Sequence, residues 1–204
     1  MLAMVTDHRK LPRRRGEALS AAIYQATLDE LAEVGYAGLT MEGVAERAKA
    51  SKASLYRRWP TRIELVMEAV YQSLPSPESS PDTGNLRDDL VAMLTRTAQA
   101  LSGPAGEAMR GLLGEALRGE SPLSTLRRNS QGTARKLMEE IVRRAVERGE
   151  VDPADVTPRR LDSGHALLRH HFLFEGPPIP ERLVAEIVDE VLVPLLQPTA
   201  RATG

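Results

Sequence analysis

The sequence predicts an all-α protein, and three observations carry the prediction. The composition favours helix: it is rich in Ala, Leu, Glu and Arg, and aromatic residues make up only 3%. Apolar residues recur at the spacing of one helical face in segment after segment. No stretch of useful length alternates apolar and polar residues as a half-buried strand would.

Taken in order, residues 1–12 carry no helical pattern and read as disordered. Arg13-Arg14-Arg15 follow, either as a solvated basic arm or as an arm that reaches phosphates or a minor groove. The first long helix is expected over Glu17–Val34. Leu19, Ala22, Ile23, Ala26, Leu31 and Val34 mark its apolar face, and Gly35 is its terminator.

Residues 40–59 then read as two short helices with a tight turn. Thr40 is an N-cap candidate for the first, and Val44, Ala45 and Ala48 share one face. Lys49-Ala50-Ser51 is the break, with Ser51 as the second N-cap. Lys52 to Trp59 makes just over two turns, too short to persist alone in water. Leu55 and Trp59 supply its inward stripe, and Pro60 ends it. Thr61-Arg62-Ile63-Glu64 is a capping box for a fourth helix, Ile63 to Leu74, whose stripe is Ile63, Val66, Met67, Val70, Tyr71 and Leu74.

Residues 75–84 are a loop by composition and the clearest internal boundary. Helices are then expected over Leu86–Leu101 and Pro104–Arg118. A long one runs from Ser121-Pro122 to Arg148, with a possible break at Asn129-Ser130-Gln131-Gly132. Thr157-Pro158 opens another, to about Phe174. The last starts near Glu181, and Pro194 should kink or end it. The domains predicted are a three-helix head over 16–62, a connecting helix over 63–74 and a helical body over 85–196.

Charge is divided unevenly. The net charge is −1, but residues 1–62 carry 11 Lys/Arg against 7 Asp/Glu, and residues 63–204 carry 16 against 21. A basic head on an acidic body suits a head that faces DNA and a body that avoids it. There is no cysteine, so disulfides are excluded. No run approaches the ~20 apolar residues of a membrane helix, and the first residues lack a signal-peptide core. A cytoplasmic protein without membrane contact is expected.

The pattern over 40–59 is that of a helix-turn-helix, whose second helix enters the DNA major groove. Here the chain resembles the TetR family of transcriptional regulators. The residues that carry the resemblance are Gly35-Tyr36-Ala37-Gly38-Leu39-Thr40-Met41, Val44-Ala45, Ala48, and Ser51-Lys52-Ala53-Ser54-Leu55-Tyr56-Arg57-Arg58-Trp59-Pro60. It is strong over residues 16–72 and is carried by helix pattern alone over 85–196. One departure stands out: family members usually have glycine in the turn where this chain has Lys49. A lysine at positive φ costs on the order of 1 kcal/mol, so either Lys49 takes that strain or the turn differs.

The expected partner is a double-stranded DNA operator. Thr40, Ser54, Arg58 and Arg62 are phosphate candidates, because hydroxyl and guanidinium groups near helix starts fix register on the backbone. Ser51 and Lys52 open the recognition helix and should face base edges. Tyr56 matches a family position that touches the backbone or a thymine methyl, and Arg57 suits either task.

The resemblance also implies a C-terminal ligand-binding and dimerisation domain. The helices near 158–174 and 181–196 carry more apolar surface than one body needs, which suits a homodimer on a palindromic site. An unidentified small-molecule effector, apolar or amphipathic, is expected in the body. Met93, Met109 and Met138 lie on inward stripes, as ordinary core or as an adaptable pocket. Tyr71, Thr97, Leu113 and His165 complete the candidate lining, with Arg110 and Glu115 as polar handles.

Rival functions are weaker. There is no GxSxG, Walker loop, GxGxxG or HExxH, so neither an enzyme nor a cofactor is expected. His165, His170 and His171 are five, six and one apart, which is not the spacing of a metal pair on one helical face. A nonspecific DNA-packing protein would be more basic. A regulator worked by a protein partner, or an activator, is not separated from a ligand-released repressor by the sequence.

Overall fold

A computed structural model describes residues 16–117 and 123–197. The Arg13–Arg15 arm and the Ser121-Pro122 helix start lie outside the described residues. Within them the chain is helical and contains no strand. The head is α1 (Glu17–Gly38), α2 (Met41–Arg47) and α3 (Lys52–Arg58), followed by the connecting helix α4 (Arg62–Ser73). The body is α5 (Leu86–Leu101), α6 (Pro104–Leu117), α7 (Leu123–Glu147), α8 (Pro158–Phe174) and a last helix in three parts.

The starts of these helices are written in side chains. Thr40, Ser51, Thr61, Asn85 and Thr157 each accept a hydrogen bond from the backbone N–H three residues on. Thr61 and Glu64 close both halves of a capping box. Gly35 breaks α1 with φ +70° where a terminator was expected, and a further turn continues to Gly38.

Two expectations need correction. The break at 129–132 does not occur: α7 is one helix from Leu123 to Glu147. The last helix does not end at Pro194. It runs as α9 (Glu181–Glu186), widens into a π-helical segment (Ile187–Leu192), and resumes as α10 (Val193–Leu196). A proline removes one N–H and crowds the carbonyl four residues back, and a π turn just before it relieves that crowding.

Two apolar cores result. The body core gathers Leu90, Met93, Leu94, Leu137, Met138, Ile141, Leu168, Phe172, Val188 and Leu192. Most of the stripe of the last helix (Val184, Ile187, Val188, Leu192, Leu196) is buried there, while Leu183, Val191 and Leu195 are half-buried. The exposed large apolar side chains near this end belong instead to α8: Leu167, Leu173 and Phe174.

The head core holds Ile23, Leu31, Leu39, Val44, Leu55, Trp59 and Val66, and it also takes in Ala105, Ala108 and Leu112 of α6. A body helix therefore completes the core of the head. The approach is close: a Cβ on Gly111 would stand 2.2 Å from Cδ1 of Tyr36. Met109 packs against both cores.

Candidate nucleic-acid interface

The recognition helix α3 is seven residues long and is held at both ends. Ser51 accepts from Ser54 N at 3.2 Å, and Trp59 N donates to Leu55 O at 2.8 Å. Its inner face is Ser54 and Leu55, with the fully buried Leu55 seated in the head core. Trp59 follows on the same side, packed edge-to-face on Tyr24 with centroids 5.6 Å apart. Its indole Nε1 donates to Glu68, which also accepts from the Tyr24 hydroxyl. Burial first, then that carboxylate, pushes the Tyr24 phenol up to about 12.

The outer face of α3 presents Ser51, Lys52, Tyr56 and Arg57 to solvent. Lys52 is paired with Glu42 of α2 at 3.3 Å, with both side chains more than half exposed. Such a pair is weak and gives way to a stronger anion. The Glu42 carboxyl is held below its usual range, first by its own backbone N–H and then by Lys52. Arg57 has no counter-ion among the described residues. Thr40 is exposed, and because its oxygen accepts from Gly43 N at 3.0 Å, its proton remains available for a phosphate.

Of the predicted phosphate contacts, Ser54 and Arg62 are engaged within the molecule and Arg58 is engaged in part. Ser54 is only 7% exposed, and its hydroxyl accepts from Ser51 at 3.1 Å. It belongs to the cap and core of α3. Arg62 points away from α3 toward α6: its guanidinium lies 4.7 Å over the Tyr36 ring, donates to Tyr36 O at 3.3 Å, and pairs with Glu115. It ties the head to the body. Arg58 is half-buried, with Nη1 directed to the Ser20 hydroxyl at 2.5 Å, so only its other nitrogens face outward.

Lys49 takes the strain. It is the one non-glycine residue with positive φ among the described residues, at +52°, and it is exposed. Lys49→Gly is therefore expected to raise head stability by about 1 kcal/mol. Urea unfolding of the pure protein measures it, and an unchanged or lower midpoint would rule out strain at this turn.

Of the residues proposed for a body pocket, Met93 and Met138 are fully buried in the body core. Tyr71 packs on the head core, and Met109 touches both. Thr97, Leu113 and His165 are half-buried, and the Thr97 hydroxyl donates to Met93 O at 3.0 Å. Burial, with Arg169 nearby, pushes the His165 imidazole down to about 4, so it is neutral at neutral pH. A cavity of about 360 Å³ lies elsewhere, between Ala98, Gln99 and Ser102 at the end of α5 and Pro178-Ile179 before α9. None of the seven predicted residues lines it. No sequence signal marks it, because it depends on how the Pro-rich connector folds back.

Among the described residues, no three His, Asp or Glu side chains gather as a metal site would need, and no helix is long and apolar enough to cross a membrane.

Comparison with known proteins identifies both halves of the molecule. Residues 23–69 match the model for bacterial regulatory proteins of the tetR family, and residues 80–191 match the tetracyclin repressor-like C-terminal domain. The chain is 35% identical over 192 residues to the DNA-binding transcriptional repressor TetR of Mycobacteroides abscessus, covering 92% of this chain and 98% of that one. It is 33% identical over 181 residues to the uncharacterized HTH-type transcriptional regulator Rv1556 of Mycobacterium tuberculosis, with 87% and 86% covered. The crystal structure of the TetR family transcription regulator SCO0332 superposes with a TM-score of 0.68 at 28% identity, covering 86% of this chain and 97% of that one. A short capped recognition helix with a cationic outer face, on a helical body that matches along its length, places this chain in the TetR family of transcriptional regulators.

Proposed function

We propose that the protein is a repressor that binds a palindromic operator as a homodimer and leaves it when a small apolar or amphipathic effector occupies the body. The observation that carries the reading is the division of α3 into two faces. Ser54 and Leu55 are buried, while Ser51, Lys52, Tyr56 and Arg57 are offered together to solvent. Residues 16–62 serve as the reading head, 63–74 as the connector and 85–196 as the body. Thr40, Lys49 and Arg57 contact phosphates, with Arg58 assisting through its free nitrogens. Ser51 and Lys52 face base edges, and Tyr56 reaches the backbone or a thymine methyl. The name of the Mycobacteroides abscessus relative supports repression. Leu167, Leu173 and Phe174, exposed on α8, supply apolar surface for a two-fold partner.

Selection of bound sequences from a random DNA pool tests the reading. A two-fold symmetric motif is expected, with half-sites about one helical turn or a multiple apart. No enrichment by a folded dimer at low salt would overturn it. On the selected operator, Lys52→Ala should weaken binding by roughly 1–3 kcal/mol and relax preference at one base position. A uniform loss at all positions would instead move Lys52 to the backbone.

A further inference from the structure

Arg110 is the only cation of α6, and it faces the body core. Its guanidinium carbon lies 5.1 Å from the centroid of the Phe172 ring, and Phe172 is 1% exposed. Nη1 of Arg110 is buried and has no hydrogen-bond partner among the described residues. A guanidinium does not lose its proton in a protein, so this is a permanent charge. Arg110 as a whole is half-buried and keeps part of its hydration, but the enclosed Nη1 lacks the partner that a buried polar group ordinarily has. The aromatic face beneath it offsets only part of that lack.

The chain had carboxylates to offer and directs them elsewhere. Glu107 precedes Arg110 by one turn, the spacing of a helical ion pair, yet it accepts from Tyr36 N at 3.3 Å. Glu115 is held by Arg62 and Tyr36. On α8, Asp162 pairs with Arg135. On α5, Asp89 is held by Thr83 and Arg148. Asp88, the other carboxylate of α5, is held by Asn85 and Arg87, so the carboxylates of α5, α6 and α8 are all engaged away from Arg110.

We propose that Arg110 receives the anionic head of the body's ligand, and that the ligand is an amphipathic organic carboxylate. The proposal rests on the reading that the body takes a small-molecule effector. A planar guanidinium meets a carboxylate through two parallel hydrogen bonds, which supplies the partner that Nη1 lacks. The apolar part lies beside the guanidinium along α6, where Met109 is only partly buried against the body core. One cation among apolar side chains matches one negative charge. A phosphate dianion would leave a second charge unpaired there.

The test uses the full-length protein without DNA and reads thermal unfolding. The probes are decanoate, benzoate and indole-3-acetate as anions, decanol as a neutral chain, and inorganic phosphate as a bare anion. At least one carboxylate should raise the unfolding midpoint saturably and bind at least about ten-fold more tightly than decanol, and phosphate alone should give no shift. Arg110→Gln should weaken the carboxylate by at least about ten-fold and leave decanol unchanged. Arg110→Met, which removes the unpaired charge, should raise the ligand-free midpoint by about 2–4 °C. A fall in that midpoint would make Arg110 a structural residue and overturn the proposal. Decanol binding as well as the carboxylates, or undiminished carboxylate binding by Arg110→Gln, would overturn it while leaving the body a ligand site. Failure of every probe, neutral and anionic, would remove both readings.

Discussion

Trp59→Ala is expected to cost about 3–5 kcal/mol of folding stability and to abolish operator binding. The recognition helix has seven residues, and a helix of two turns does not persist in water without packing. Trp59 does that packing from just past its end. The residue is 4% exposed, its ring meets Tyr24, and its indole N–H reaches Glu68. Its own backbone N–H closes the last turn onto Leu55. Truncation opens a cavity under α3 and leaves Glu68 with Tyr24 alone. Trp59→Phe keeps most of the ring and loses the N–H, and should cost about 1 kcal/mol by the hydrogen bond alone. The chain has a single tryptophan, so its removal also removes the intrinsic fluorescence probe. Circular dichroism in urea should therefore follow unfolding. A Trp59→Ala midpoint within about 1 kcal/mol of the parent would show that α3 is seated by Leu55 alone.

Features governed by near neighbours in sequence were legible, and those governed by distant ones were not. Thr40, Ser51 and the Thr61/Glu64 box act within four residues, and all cap as their spacing suggested. The span of α5 was legible, and Leu86–Leu101 is helical as its spacing predicted. The pairing of Arg62 was not legible, because its direction is set by Glu115, 53 residues away. Nothing in the periodicity of α4 announces that α6 will pass beside it. Ser54 read as a phosphate-contacting hydroxyl, but the turn of helix that buries Leu55 carries Ser54 inward with it. Arg110 shows the same limit from the other side. Its i−3 partner Glu107 predicts an ordinary helical ion pair, and only the packing of α1 on α6 reveals that Glu107 is drawn to Tyr36 N instead. The π segment before Pro194 had a cause in the sequence, the proline, but no signal for which remedy the helix would adopt.

Glu115→Ala is expected to lower stability by about 2–3 kcal/mol and to loosen the head from the body. Glu115 is 7% exposed and binds two groups of the head at once, the Arg62 guanidinium and the Tyr36 hydroxyl at 2.7 Å. Burial, and then this carboxylate, holds the Tyr36 phenol well above its usual range, so it stays a donor. Without Glu115 the phenol is left unpaired in the core and the guanidinium loses its counter-charge. The cost falls short of that for a fully buried pair because the Arg62 side chain is 31% exposed and water replaces part of the contact. Glu115→Gln keeps an acceptor for the phenol and should cost about half as much. The junction also decides what Arg62 does. If it is a tie, Arg62→Ala lowers stability, its effect is non-additive with Glu115→Ala by about 1 kcal/mol, and the salt dependence of DNA binding keeps its slope. If Arg62 instead held a phosphate, the two effects would add and the salt slope would fall by about one. A ligand in the body can weaken DNA binding only through contacts that differ between two arrangements of head and body. Glu115 stands on the helix that lines the body and holds the helix that carries the head, so a Glu115→Ala protein that still folds should show a smaller change in operator affinity when an effector binds.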